Sequence, residues 1–365
     1  MNIPERHEDV NAEWLTEALR SGDVIDDQTV SEFRVEPLGD EVGRTSSLVR
    51  IAVEYDEPSK VLPNSMVAKF VSRIQANRDF AGGHGLFQRE IELYKTLGDA
   101  IPLNMPKLYF GLASDSSDLA IILLEAIDGV SKESLSVAGL RLTATEAKLA
   151  LTEVAKMHAK WWENPTLESY DWLMEVKSDT RNLMYNRYPE AWATMRRVME
   201  PVFTPAQLQM CDKLSSYLPT LISKFDSMPV TLRHGDFHLG NLLWDIADEP
   251  ETVWFIDWQG PGVGPAILDI AWCISGDVPT SDLPRVRQDY LPEYHNALLS
   301  HGVTGYEYGN FLNDYRYGLL DAVTRIIAIL ANVDLAREDS VEVERMVIGR
   351  MVSAAEDADC VELIS

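Results

Sequence analysis

The chain has 365 residues and 58 acidic against 32 basic side chains, a formal charge of −26 at pH 7. So anionic a surface excludes general affinity for nucleic acid or acidic membranes. It suits a cationic small-molecule substrate, although solubility or a saline habitat explains the charge more simply. No apolar run reaches the length of a membrane span, and the N-terminus lacks the layout of a signal peptide. Cys211, Cys273 and Cys360 are too scattered for a metal site or a disulfide framework. A cytoplasmic protein with free thiols, one two-lobed unit or two domains in size, is the expectation.

In chain order, Val35 to Ile51 reads as strand, loop, strand, with Gly39 and Gly43 in the loop. Backbone amides from Gly43 through Ser46 to Ser47 could cover phosphates, and a plain hairpin turn is an equal reading. Ser65 to Val71 then places a single lysine, Lys69, inside an apolar strand-like run. A lysine there needs a carboxylate or phosphate partner. Phe87, Ile91 and Tyr94 mark one face of a helix, which makes Glu90 the candidate partner. Glu92 is the alternative, because sequence does not fix the helical phase to one residue. Leu119 to Leu124 is a continuous apolar strand that runs through Glu125 to a turn at Asp128-Gly129.

Thr143 to Glu146 is a capping-box pattern opening a helix toward Trp162, with apolar residues at 147, 150, 154, 157 and 161. His158 lies on that helix. An aromatic-rich section follows: Trp161, Trp162, Tyr170, Trp172, Tyr185, Tyr188 and Trp192. Core packing accounts for most of these, with one or two expected to line a pocket. Amphipathic helices are expected around 285–300, 308–333 and 339–358.

The chemistry concentrates between residues 234 and 258. His234-Gly-Asp-Phe-His-Leu-Gly-Asn241 sets Asp236 five positions before Asn241, ahead of a strand at Leu242-Leu243-Trp244. A second apolar strand, Val253 to Ile256, ends in Asp257 with a turn signal at Gln259 to Gly262. A carboxylate at a buried strand's end is costly unless paired or bound to metal. Magnesium takes hard oxygen ligands and keeps several waters, so Asp257 and the Asn241 carbonyl suffice beside nucleotide phosphates. Asp236 is free to accept a hydroxyl proton. One proton acceptor and two metal ligands are what phosphoryl transfer asks of a protein. His238, inside the same loop, either meets phosphate or substrate or lies exposed.

On these residues the chain resembles the aminoglycoside phosphotransferase and choline kinase group, the small-molecule branch of the protein-kinase-like superfamily. His234, Gly235, Asp236 and Asn241 match the pattern His-Gly-Asp-x4-Asn residue for residue. The Ile256-Asp257-Trp258-Gln259 stretch leans toward its ecdysteroid-kinase-like members. The resemblance implies that Asp236 is the catalytic base and that Asn241 and Asp257 bind magnesium. It also implies that Asp269, in Asp269-Ile-Ala-Trp272, supports the catalytic loop, and that His158 packs near it. Lys69 paired with Glu90 would orient the phosphates of ATP, and main-chain groups from Glu125 to Ile127 would meet the adenine edge. The helices before the catalytic loop would help enclose the acceptor, with Trp258 as a further wall.

The implied fold is α+β and bilobal. A small nucleotide-binding lobe (1–127), an antiparallel sheet with one helix, precedes a larger, mainly helical catalytic and substrate-binding lobe (128–365). The expected reaction is ATP- and Mg2+-dependent transfer of the γ-phosphoryl group to a hydroxyl of a small molecule, cationic or sterol-like. In aminoglycoside enzymes the C-terminus supplies acidic contacts to drug amines. Here Asp357, Asp359 and Glu362 match that poorly, which speaks against antibiotics. The alternatives are a protein AMP-transferase and a non-catalytic nucleotide-binding protein. The residues intact in their ordinary order argue against both.

Overall fold

The computed structural model describes residues 1–38, 46–57, 61–114, 117–128, 130–131, 144–175, 179–245, 252–330 and 338–364. Gly43, Gly129 and Thr143 lie outside them. The chain forms two compact units, Met1–Val130 with Trp244–Gly260, and Ser131–Leu243 with Pro261–Ser365. The sequence reading assigned residues 244–260 to the C-terminal lobe. They group with the first unit because Asn104 grips their strand, Thr252–Phe255. The Phe255 amide donates to the Asn104 carbonyl (2.8 Å), and Asn104 Nδ2 donates to the Val253 carbonyl (3.2 Å).

The first unit opens with α1 (Ala12–Ser21), capped by the Asn11 side chain, which accepts from the Trp14 amide at 2.9 Å. Next come β1 (Val30–Pro37), β2 (Ser46–Tyr55), β3 (Ser65–Val71), α2 (Gln75–Gly83), α3 (Leu86–Thr96), β4 (Leu108–Ala113) and β5 (Ala120–Glu125). The strands form one sheet in the order β1-β2-β3-β5-β4, antiparallel throughout. The expected antiparallel sheet is present, but among its described residues the unit has three helices of eight residues or more rather than one.

Period-two alternation divides the sheet's residues between its faces. Met66, Ala68 and Phe70 of β3 join Val49 and Ile51 of β2 and Ile121 and Leu123 of β5 in one core with Trp14, Leu15 and Leu19 of α1. Each such large side chain contributes on the order of 2 kcal/mol by leaving water. Lys69 is out of step with Ala68 and Phe70, so it points to the opposite face. There it lies between Leu48 of β2 and Ile122 of β5. Helix α3 packs on β4 and β5. The approach is close: a Cβ at Gly111 would come within 2.9 Å of Ile91. That contact brings Glu90 onto the strands.

The second unit is mainly helical. Its longer helices are Ala144–Lys160, Asp179–Met199, Pro205–Phe225, Ile267–Asp277, Leu291–Ser300, Tyr308–Leu330 and Glu338–Asp357. The predicted positions Ala147, Ala150, Val154, Met157 and Trp161 are all buried. The expected 285–300 helix is present, helical from Leu283 to Ser300 with a π-helical stretch at Val286–Tyr290. Pro292 has no N–H for the carbonyl one turn back, which disfavours a continuous α-helix there. The Ile267–Asp277 helix is buried from Ile267 to Ser275. Tyr308–Leu330 crosses it at Gly318, where a Cβ would sit 2.9 Å from the Ala271 Cβ. That close crossing sets Arg325 one helical stretch further along.

Candidate active site

The site residues fall into two clusters, one in each unit. In the first, Lys69 Nζ lies 2.7 Å from Glu90 Oε2 and 2.7 Å from Asp257 Oδ1. Glu90 is fully buried, Lys69 is 4% exposed, and the Asp257 side chain keeps 37% exposure. The helical phase is thereby resolved: Glu92 accepts from Gln88 Nε2 at 2.9 Å instead. Burial works against the charge on Lys69, yet Asp257 and Glu90 outweigh it and hold its pKa above the ordinary value. Burial lifts Glu90 to about 6 against the opposing pull of Lys69, with Asp257 adding to the lift. The Asp257 backbone is left-handed, at φ 61°. That conformation costs a non-glycine residue on the order of 1 kcal/mol. The ion pair with Lys69 offsets it.

The remaining residues predicted for the first unit are less tightly engaged. Ser46 starts β2 opposite Val71 and is buried. Glu125 ends β5, where its amide donates to the Lys107 carbonyl at 2.8 Å and its carboxylate accepts from the Lys107 amide at 3.2 Å. Ile127 is half-buried in the segment beyond. Trp258 is fully buried, with Nε1 donating to the Phe255 carbonyl at 3.2 Å, so the expectation that it walls a substrate pocket is corrected. An indole so enclosed is core.

In the second unit, the short strand Thr231–Arg233 pairs antiparallel with Gly262–Gly264 and leads into the loop at His234. Asp269, buried on the Ile267–Asp277 helix, fastens that loop. Its Oδ2 accepts from the His234 amide (2.7 Å) and its Oδ1 from the Gly235 amide (3.1 Å). Gly235 has φ 82°, a turn that favours glycine. His158 Nε2 stands 3.4 Å from Asp269 Oδ2, and Arg233 Nη1 stands 3.5 Å from Oδ1. His158 also bonds the Tyr294 hydroxyl through Nδ1 at 2.7 Å. The histidine packs, as the resemblance implied.

Burial would raise Asp269, but hydrogen bonding to His158 and the Arg233 charge bring it down to about 2. A carboxyl depressed from its ordinary 3.8 stabilises the fold above pH 3.8 and loses that contribution as pH falls toward 2. The shift corresponds to about 2 kcal/mol. Asp269→Asn is expected to be less stable than wild type by about that amount at neutral pH. Urea melts from pH 6 downward check it, because the gap between the two proteins should narrow as acid reaches Asp269. A gap independent of pH would mean the charge is irrelevant.

Asp236 follows Gly235 with 44% of its side chain exposed. Trp272 Nε1 donates to its Oδ1 at 3.1 Å. Asn241 Nδ2 donates to the Asp236 carbonyl (2.8 Å) and approaches Oδ2 at 3.3 Å, tying the two ends of the loop together. His238 Nδ1 accepts from the Gly240 amide at 3.0 Å, which turns Nε2 toward Asp236 Oδ2 at 3.4 Å. Desolvation would raise Asp236, but His238, then Arg325 and His234, hold it well below the ordinary carboxylate range. It is therefore an ionised acceptor at neutral pH. Asp277, at the end of the Asp269 helix, accepts from the Leu239 amide at 2.7 Å and steadies the loop's middle.

Three contributors were not singled out on sequence: Trp272, Asp277 and Arg325. Trp272 and Asp277 share a helix with Asp269, at spacings of three and eight, so the first shares a face with it and both were findable. Arg325 comes from a distant helix and had no local signal. Of the aromatic section, Trp161, Tyr185, Tyr188 and Trp192 are buried, the last two hydrogen-bonded to the Cys211 carbonyl and to Asp212. Trp162, Tyr170 and Trp172 keep partial exposure. The acidic C-terminus is spoken for: Asp357 and Asp359 lie 3.4 and 3.6 Å from Arg287, and Glu362 lies 2.9 Å from Arg316. Among the described residues no helix is long and apolar enough to cross a membrane.

The model of the phosphotransferase enzyme family matches residues 69–307. A search of curated proteins finds no significant match. Among solved structures, a mutant aminoglycoside 2′-phosphotransferase-IIIa in its GDP complex is similar at 14% identity and TM-score 0.53, covering 93% of this chain and 97% of its own. Plasmodium vivax ethanolamine kinase is similar at 13% identity and TM-score 0.52, covering 97% and 89%. The APH(2″)-IIa–gentamicin complex gives 15% identity and TM-score 0.50, covering 96% of each. At such identities the likeness is one of fold, a kinase-like α+β fold.

Proposed function

The chain belongs to the phosphotransferase enzyme family, and from that premise we propose that it moves the γ-phosphoryl group of ATP to a hydroxyl of a small molecule. It is an enzyme of phosphoryl transfer with an alcohol group as acceptor. The observation that carries the nucleotide half of the reading is the triad of buried Lys69 and Glu90 with part-exposed Asp257. Two carboxylates converging on one buried lysine, one of them on a left-handed backbone, is an expensive arrangement for mere packing.

The donors suit magnesium. Asn241 spends its Nδ2 on Asp236, which leaves its Oδ1 as the ligand atom, and Asp257 supplies a part-exposed carboxylate. Bound Mg-ATP supplies the phosphoryl group and the positive charge that offsets its oxygens. Lys69, aimed by Glu90, is assigned to the α/β-phosphates, with Ser46 beside them; Gly43, expected to share that role, lies outside the described residues. The Glu125 amide is committed to Lys107, so the adenine edge is assigned to the Glu125 carbonyl and the main chain on to Ile127.

Asp236, held by Trp272 and Asn241, orients the acceptor hydroxyl and takes its proton as the new O–P bond forms and the bond to the leaving ADP breaks. The acceptor is read as a hydroxylated small molecule of the broad class that the aminoglycoside and ethanolamine enzymes represent. Pairing of Asp357, Asp359 and Glu362 with arginines favours one other than a polycationic drug.

Asp257→Asn tests the metal assignment. Its nucleotide affinity in magnesium should fall at least about tenfold toward the value in chelator, as seen by calorimetry. Wild-type affinity that ignores magnesium would contradict the reading.

A further inference from the structure

The loop that carries the base of this proposed reaction is touched by a residue far away in the chain. Arg325 lies on Tyr308–Leu330, about 90 positions from the loop it touches. Its Nη2 donates to the Gly235 carbonyl at 3.1 Å. Its guanidinium carbon stands 4.3 Å from the centre of the Trp272 ring. The Trp272 indole donates in turn to Asp236 Oδ1 at 3.1 Å. One side chain therefore fixes both the residue before the base and the ring that grips it.

We propose that Arg325 is a positioning residue for phosphoryl transfer: it clamps Gly235 and the Trp272 ring, and so sets the direction of the Asp236 carboxylate. The inference rests on the phosphotransferase reading given above. The geometry explains why a tryptophan and an arginine are used. A planar guanidinium can stack on a ring and donate an in-plane hydrogen bond at once. The other contacts of the loop, from Asp269 and Asp277, secure main-chain amides of residues 234, 235 and 239. Neither touches the carboxylate of Asp236, so the aim of that carboxylate falls to Trp272, which holds Oδ1, and to Asn241 and His238, which meet Oδ2. Without Arg325 the indole loses the cation on its face, and the Gly235 carbonyl loses a charged donor. The loop stays attached and Oδ2 keeps its contacts, but the Trp272 hold on Oδ1 of the base is loosened.

Two readouts separate this from general support of the fold. The first is hydrogen exchange of the Trp272 indole N–H by NMR, its signal assigned through Trp272→Phe. The second is ADP release from Mg-ATP with water as acceptor, resolved into kcat and KM for ATP. In Arg325→Met the indole proton should exchange at least about tenfold faster and kcat should drop about tenfold or more, with KM within about twofold. Arg325→Lys keeps a cation but not the planar fork, so it should recover only part of both. Unchanged indole exchange in Arg325→Met overturns the inference, and so does faster exchange with unchanged kcat. A kcat loss accompanied by an equal rise in KM and a lowered melting temperature also overturns it, in favour of a structural role. Wild-type protein that neither releases ADP nor binds Mg-ATP sinks the phosphotransferase reading instead, while the indole exchange still decides whether Arg325 holds the ring.

Discussion

Asp236→Asn is expected to remove phosphoryl transfer almost completely, about a thousandfold or more, while ATP affinity stays within about twofold. The substitution keeps the shape of the side chain. An asparagine oxygen can still accept from the Trp272 indole at the present 3.1 Å, so the loop has no reason to unfold. What disappears is the negative charge and the capacity to take a proton. His238, Arg325 and His234 now depress the carboxyl, so wild-type Asp236 is ionised well below neutral pH. The wild-type enzyme should accordingly show no acid limb from this group near neutrality. Because the loss lies in the chemical step, it should appear in kcat rather than in nucleotide binding. Wild-type kcat in Asp236→Asn would falsify the assignment of the base.

Lys69→Met should have two separable effects, on activity and on stability. The lysine is the shared partner of a fully buried glutamate and a half-buried aspartate. Removing one member of a buried ion cluster leaves the others uncompensated, at a typical cost of about 3–5 kcal/mol. A matching fall in denaturant midpoint is expected. The double variant Lys69→Met with Glu90→Leu replaces the pair by apolar groups of similar volume and should regain most of the stability. It should not regain turnover, since no cation remains for the phosphates. Equal stability of Lys69→Met and wild type would mean the triad is not an electrostatic unit. Activity in the double variant would remove Lys69 from the phosphate site.

Much of this arrangement could be read along the chain because its signals are local. A lysine in the apolar run Ser65–Val71 demanded a carboxylate, and strand alternation then put it on the face away from α1. Glu90 and Glu92 differ in which side of α3 they occupy, and only the packing of α3 on β4 and β5 decides between them. The loop from His234 to Asn241 was legible as spacing. The tie between its ends, Asn241 Nδ2 on the Asp236 carbonyl, explains why the spacing is five. Helix α1 was legible and passed over: Asn11 before buried residues at 14, 15, 18 and 19 is a capped amphipathic pattern. Arg325 was not legible. Its neighbours in sequence are core residues of Tyr308–Leu330, and its partners Gly235 and Trp272 meet it only through the crossing of that helix with Ile267–Asp277. Trp258 misled in the other direction, since adjacency to Asp257 suggested a pocket wall while the indole turns inward. Nearness in sequence to a functional residue does not specify which way a side chain faces.

The most direct test is mass spectrometry of pooled hydroxylated metabolites, sterols, amino sugars and aminoglycosides incubated with the protein and Mg-ATP, beside Asp236→Asn. The account predicts that one compound class gains a single phosphate with the wild-type protein and none with the variant, naming the acceptor. AMP attached to the protein itself, with every small molecule unchanged, would contradict it.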